Sequence, residues 1–583
     1  MHANSFSSRS AIFFSIGFFS IGVVAIALFI ASTVLFLGKT IAPWQFPLAV
    51  VASLGLNYVV FGRRTGLSRR SQFGLFLGIP LALVLCSIWI SGCFYDITFD
   101  GQAYHQEAII QLEAGWNPYR QYLPDTVNQA IWVNHYAKGM EMVQSMIYAT
   151  FQDIEMGKSV NLLLWIASVS IVLVLLQHLS PTLLRRNIFL SILISSSPVV
   201  FNQLLTYYVD GALSSCLLIL IATLILVHRQ PHLCNWLLLA FVIVILANIK
   251  FTGVVYIVLF VGAFSAWYLT RRRQKTFYRL LAVAVPAGLL AILIGYNPYI
   301  TNFIDYGHPL HPLMGAHKVD IMDINTPYGF KGKSEVERFF ISLFAHTENL
   351  YPWNRYDIAL KIPFTFNTTD LANAPKVDTR LAGFGPFFSG IVVLTIIIGF
   401  IIAKHVKKSK RYAGIAGLVA IIVLSVVIMP ESWWARYVPQ LWFLPFVLLI
   451  GAEILLKRKP RTLLKVIYIA YVLNFMFYLP NILMIGILTG QTNYQMRVFQ
   501  AAEKPVIVDW GASQSNRIRF IEWEIPYREV DDLASYLQPD TRIAYLPGSQ
   551  ARFIKSPADD EAVEKALWLR VAERWMPNTW KHY

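Results

Sequence analysis

Two carboxylates, Asp96 and Asp100, stand four residues apart where a long apolar run gives way to a polar segment reading Cys93-Phe-Tyr-Asp96-Ile-Thr-Phe-Asp100-Gly-Gln-Ala-Tyr104-His105-Gln-Glu107. A carboxylate at the end of a membrane helix is partly desolvated, which suits it to take a proton from a hydroxyl arriving from water. The plainer reading is a polar helix end followed by a solvated acidic loop. Lys250 and Arg436 also lie at the ends of apolar runs, away from the basic blocks of the chain. Fixed positive charge in such places can hold an anionic phosphate, and Arg436 can do so bidentately. Against that stand snorkelling cations and, for Arg436, stacking on Trp433, Trp434 and Tyr437 in an aromatic belt. Asp210, in Tyr207-Tyr-Val-Asp210-Gly211, either faces the same cavity or forms a turn between two helices.

The elements that must position these residues are membrane helices. Hydrophobic residues make up 56% of the chain and charged ones 14%, and the mean hydropathy is +0.52, which excludes a water-soluble fold. A bilayer core needs roughly 20 apolar residues per helix, and such runs recur near 11–38, 42–61, 73–95, 159–178, 187–204, 212–228, 235–249, 252–270, 280–298, 385–403, 413–429, 438–456 and 463–489. The expected fold is an all-α polytopic membrane protein of about thirteen transmembrane helices. The net charge of +16 sits in short blocks between runs, at Arg63 to Arg70, Arg185-Arg186, Arg271 to Lys275, Lys404 to Arg411 and Lys457 to Arg461. Blocks of this kind mark cytoplasmic loops and do not suggest a nucleic-acid surface. A cytoplasmic N-terminus puts every block inside. It places three long segments outside the inner (plasma) membrane: 96–158, 299–384 and a tail from about 490. The expected division is a transmembrane pair at 1–72, a core at 73–489 and an extracytoplasmic domain at 490–583.

The segment 106–114 has the spacing of a short interfacial helix. The tail reads as a small α/β appendage, with strand candidates at 506–508, 517–523 and 542–546 and a helix candidate at 559–575. Cys86, Cys93, Cys216 and Cys234 lack the spacing of metal ligands or of a disulfide framework. No cofactor is required, although His308, His311, His317, Asp320 and Asp323 keep a divalent metal open as an alternative. Trp116, Trp132, Trp353, Trp433 and Trp434 lie in expected outer segments, either as interface anchors or as rings that stack on sugar faces.

The Asp-containing loop with Tyr104-His105, followed by Gly115-Trp-Asn-Pro-Tyr119, resembles the first outer loop of GT-C glycosyltransferases, multi-span enzymes that use polyprenyl-phosphate sugars. Tyr207-Tyr-Val-Asp210-Gly211, Asn248-Ile-Lys250-Phe-Thr252-Gly253, Asn297-Pro-Tyr with Asn302 and Tyr306-Gly-His-Pro-Leu-His-Pro312, and Glu431-Ser-Trp-Trp-Ala-Arg436-Tyr437 are similar to segments of bacterial members. The resemblance covers about 90–460 in pattern. It implies an inverting transfer in which a loop carboxylate, Asp100 with Asp96 as second choice, takes the acceptor proton while Lys250 and Arg436 hold the donor phosphate. Tyr104, His105, Asp210, Asn302 and Tyr437 are then substrate-binding candidates. The implied partners are a polyprenyl-phosphate sugar, a glycan, lipid or protein acceptor, and membrane lipids. The chain lacks Trp-Trp-Asp-Tyr-Gly, which disfavours transfer to asparagine. The competing readings are a multi-span transporter or flippase, which would place its charges near the bilayer midplane, and a lipid-linked glycan polymerase or ligase.

Overall fold

The computed structural model describes residues 8–62, 67–181, 183–406, 410–556 and 563–576. Eight of its helices are long and apolar enough to cross a membrane: Ser10–Phe36, Arg69–Gly92, Ile154–Leu179, Asp210–Arg229, Phe251–Thr270, Gln274–Ile294, Phe388–His405 and Arg461–Ala501. Shorter apolar helices, Gln45–Phe61, Leu233–Ile249, Arg411–Val427 and Pro439–Leu455, lie between them. Several outward faces are bare hydrocarbon. Val258 is 66% exposed, Leu289 60% and Phe400 71%, which only lipid can solvate without penalty. The protein is therefore membrane-embedded, and the sequence runs mark its helices well.

Two of the expected spans are interrupted. The run at 187–204 is two short helices, Leu184–Ser195 and Pro198–Gln203, and does not form a single span. The break falls in Ser195-Ser-Ser-Pro198, where proline removes a donor and the Ser197 side chain accepts from Val200 N–H. The run at 463–489 is likewise split at Leu479-Pro480 into Arg461–Tyr478 and Asn481–Ala501.

The helices Ser8–Phe36, Ser159–Leu179, Asp210–Arg229 and Leu233–Ile249 pack in one apolar core, where Phe14, Ala27, Ile171, Leu217 and Leu239 are fully buried. The expected interfacial helix exists as Gln106–Glu113, but it is covered by protein. Ile109 and Leu112 are fully buried, and even Glu107 is inaccessible.

The tail folds on a four-stranded sheet of order β2-β1-β4-β3, with β1 Val506–Asp509, β2 Tyr527–Glu529, β3 Arg542–Tyr545 and β4 Arg552–Lys555. Strands β1 and β2 are parallel, while β3 and β4 pair antiparallel with Arg542 opposite Lys555. The strand expected at 517–523 is a helix, Arg517–Glu522. Its alternating Arg and apolar residues do not line a sheet face, because Arg519 is buried in an ion pair with Glu155. The expected terminal helix is seen as Leu567–Trp575, and residues 559–562 of that expectation lie outside the described residues.

The tail is wired to the loop that follows Arg69–Gly92. Asn516 Nδ2 donates to Gln102 Oε1 at 2.7 Å, Ser515 Oγ to Gln102 O at 2.7 Å, and Gln102 Nε2 to Gly548 O at 2.6 Å. Arg519 Nη2 donates to the Asp96 carbonyl at 2.7 Å, and Arg517 pairs with Glu107 at 2.7 Å. Beside this seam lies a polar cavity of about 500 Å³ lined in part by Tyr95, Asp153, Glu155, Glu522 and Trp523.

Candidate active site

Arg436 is the hub of the site. It sits on the single turn Ala435–Tyr437, before the helix Phe443–Leu455, and is held there by Tyr256 OH donating to the Tyr437 carbonyl at 2.9 Å. Its Nη1 lies 3.2 Å from Asp100 Oδ2 and 3.4 Å from Asp378 Oδ1, and its Nε lies 3.8 Å from Asp210 Oδ2. Its Cζ stands over Trp434 at 4.3 Å and over Tyr208 at 5.3 Å. Burial alone would favour loss of its proton, but Asp210, Asp100, Tyr437 and Asp378 outweigh that and hold the guanidinium charge more firmly than usual.

Lys250 reaches the same place from a break between two helices. Its backbone is extended, at φ −160° and ψ 151°, between Leu233–Ile249 and Phe251–Thr270. The ammonium lies 2.7 Å from Asp210 Oδ1 and 4.7 Å from the centre of the Tyr437 ring. Asp210 is the first residue of Asp210–Arg229, buried and shared between both cations. It is thus a paired carboxylate and does more than form a turn.

Asp100 precedes the wide helical turn Gly101–His105. Gly101 permits that turn: a Cβ there would stand 2.5 Å from Thr98 Oγ1 and collide with the Asp96 carboxylate. Tyr104 lies close to Asp100, Arg436 and Asp210, and burial followed by the Asp100 charge raises its phenol well above the ordinary range. It stays a neutral hydroxyl.

Asp96, expected as the second base, does not face this cluster. It is fully buried, its Oδ1 accepting from Thr98 N at 2.8 Å and Thr98 Oγ1 at 2.6 Å, and its Oδ2 from Tyr207 N at 2.8 Å. Burial pushes its carboxyl up despite the opposing pull of Lys158. Its two oxygens fasten the loop to the Tyr207 segment. His105 is buried with Nδ1 2.5 Å from Glu141 Oε1. Asn302 lies apart as a brace, with Oδ1 2.8 Å from His135 Nδ1 and Nδ2 donating to His311 O at 2.7 Å. Among the described residues no group of three or more His, Cys, Asp or Glu stands where it could hold a metal. His311 instead stacks on Tyr306, with ring centres 3.9 Å apart.

Two members of the cluster escaped the sequence reading. Asp378 accepts from Arg380 Nε at 2.6 Å and from Tyr351 OH at 3.2 Å. Burial would raise its carboxyl, but Arg380 and Arg436 beside it hold it below the ordinary range. Arg380 is buried and also donates to Asn325 Oδ1 at 2.7 Å. Asp378-Thr-Arg380, shortly before an apolar run, was the available signal. Three carboxylates thus stand against Arg436, Lys250 and Arg380, close to neutrality, so an anion entering the group would have to displace a carboxylate from the cation it claims.

Compared with protein families and with curated proteins, the chain finds no match. Among solved structures it is similar to the crystal structure of ArnT from Cupriavidus metallidurans bound to undecaprenyl phosphate, over 83% of this chain and 99% of that one. Identity is 12% and the TM-score 0.35, a likeness too loose to transfer residues or chemistry.

Proposed function

We propose that this chain is an inverting membrane glycosyltransferase of the GT-C type, moving a sugar from a polyprenyl-phosphate donor to an acceptor hydroxyl on the extracytoplasmic face. The observation that carries the reading is the 3.2 Å approach of Asp100 to Arg436, with Lys250 joined to the same group through Asp210. The carboxylate assigned here as base and the two cations assigned here to the phosphate thereby share one ion-pair group. A transporter would place such charges at mid-membrane.

In the proposed reaction the acceptor hydroxyl gives its proton to Asp100 as its oxygen bonds to the anomeric carbon. The bond from that carbon to the phosphate oxygen breaks, and its electron pair leaves with the lipid phosphate. Arg436 and Lys250 meet the charge that develops there, while Asp210 and Asp378 keep both cations in register. The donor phosphate competes with Asp100 for the Arg436 guanidinium. Exchange frees a carboxylate oxygen, so donor arrival arms the base. Tyr104 and Tyr437 line the group as hydrogen-bonding walls. Asp96 serves to hold the loop.

The test is Asp100→Asn, assayed in membranes with a polyprenyl-phosphate sugar. Transfer should fall by about 10²–10⁴-fold at unchanged expression; retention of full activity removes Asp100 as the base. Arg436→Lys should weaken use of the donor far more than of the acceptor, and equal effects on the two would return Arg436 to a packing role.

A further inference from the structure

Trp353 is 65% exposed, yet its indole is held in place. It lies parallel to the Tyr351 ring, with centres 4.6 Å apart and planes 8° from coplanar. Behind Tyr351 stands Arg380, its Cζ 3.8 Å from the ring centre, and the same guanidinium lies 4.2 Å from Trp434. Trp434 in turn lies 4.3 Å from Arg436. Four contacts therefore join an exposed ring to the hub of the site, an aromatic pair followed by alternating guanidinium and aromatic planes. Every layer behind Trp353 is pinned by polar bonds. Tyr351 N–H donates to Asn354 Oδ1 at 2.8 Å and its hydroxyl to Asp378, while Trp434 Nε1 donates to the Asp378 carbonyl at 2.6 Å.

The residues after Trp353 are Asn354, Arg355, Tyr356 and Asp357, and Tyr356 OH donates to Glu348 at 2.9 Å. A rigid aromatic face in a stretch that carries amide, guanidinium and carboxylate side chains at Asn354, Arg355 and Asp357 matches a pyranose ring. The C–H face of the sugar packs on the indole, and the hydroxyls at its rim find donors and acceptors.

We propose that Trp353 binds a sugar ring of the acceptor, so that the acceptor is a glycan gripped at this platform while its reacting hydroxyl lies at Asp100. The inference rests on the glycosyltransferase reading above. The stack makes the grip and the chemistry mechanically continuous, because Arg380 and Trp434 belong to both.

The experiment uses the full chain in nanodiscs and a panel of methyl glycosides of glucose, galactose, mannose and N-acetylglucosamine. Saturation-transfer NMR reads glycoside binding, and brominated phospholipids read the depth of the indole. For at least one glycoside Trp353→Ala should weaken binding about tenfold, a loss of the size expected for one stacked ring, while Trp353→Phe keeps most of it. Brominated lipid should quench wild type and Trp353→Ala alike. Equal glycoside affinity in wild type and Trp353→Ala, no glycoside bound by wild type, or loss of a lipid-quenched emission in the variant would each overturn the proposal. Asp100→Asn run alongside separates the two readings. If it transfers sugar normally, the base assignment falls while the platform is judged on the binding data alone.

Discussion

At Arg436 the charges of Asp210, Asp100 and Asp378 outweigh the cost of desolvation, which makes each partner consequential. An unpaired cation there would cost several kcal/mol, and removing one member of a buried pair typically costs about 3–5 kcal/mol. Asp378→Ala leaves Arg380 without its 2.6 Å acceptor and Arg436 with one carboxylate fewer. The variant should melt clearly below wild type in detergent, whereas Asp378→Leu combined with Arg380→Met, which removes the pair, should recover part of the loss. An equal loss in both would show that the pair has little stabilising role. Gly101 offers a finer test. Its missing Cβ makes room for the Asp96 carboxylate and the Thr98 hydroxyl, so Gly101→Ala should shift the turn that carries Asp100, depressing the proposed transfer and lowering the thermal midpoint through overpacking of about 1–3 kcal/mol. A variant with normal turnover and melting would mean that the turn absorbs the methyl without moving Asp100.

At the scale of elements, buried amides tie loops to helices. Asn474, on Arg461–Tyr478, accepts from Phe387 N–H at 2.9 Å and donates to the Phe384 carbonyl at 2.8 Å. Asn474→Ala strands both backbone groups, at about 1–3 kcal/mol each, and should lower the melting temperature; an unchanged midpoint would mean that water replaces the amide. Such side-chain bonds explain what could be read from the sequence. Apolar runs located the helices because lipid solvation depends on composition, which needs no knowledge of partners. The breaks at Ser196-Ser197-Pro198 and Leu479-Pro480 were missed because hydropathy averages across a proline that local bonding obeys. Asp100, Asp210, Lys250 and Arg436 stood out because charge is scarce at the ends of apolar helices. Asp378 and Arg380 did not, since in the long polar segment at 299–384 charge is common. Asp96 and Asp100 could not be ranked from a four-residue spacing: one is claimed by Thr98 and Tyr207, the other by Arg436.

For the molecule as a whole, the seam between tail and helices should respond to pH. Burial, with Asp153 and Glu155 nearby, outweighs the Ile154 N–H and the Arg519 charge and raises Glu522 from 4.5 to about 8. The folded seam therefore keeps a proton that the unfolded chain gives up near pH 4.5. Its contribution is complete below that pH and is lost as pH rises toward 8. Proteolysis of the tail should accelerate between pH 6 and 8 on the scale of that single carboxyl, and Glu522→Gln should flatten the dependence. A profile unchanged by the substitution would place the sensitivity elsewhere. The same seam sets a timetable for biogenesis. The bonds that fix Gln102 and the Asp96 carbonyl come from Ser515, Asn516, Arg519 and Gly548, residues that leave the ribosome after the apolar helices described above. A polypeptide stopped before them should insert and persist, yet keep its acidic loop unset, so the order of that loop waits on residues translated more than 400 positions later.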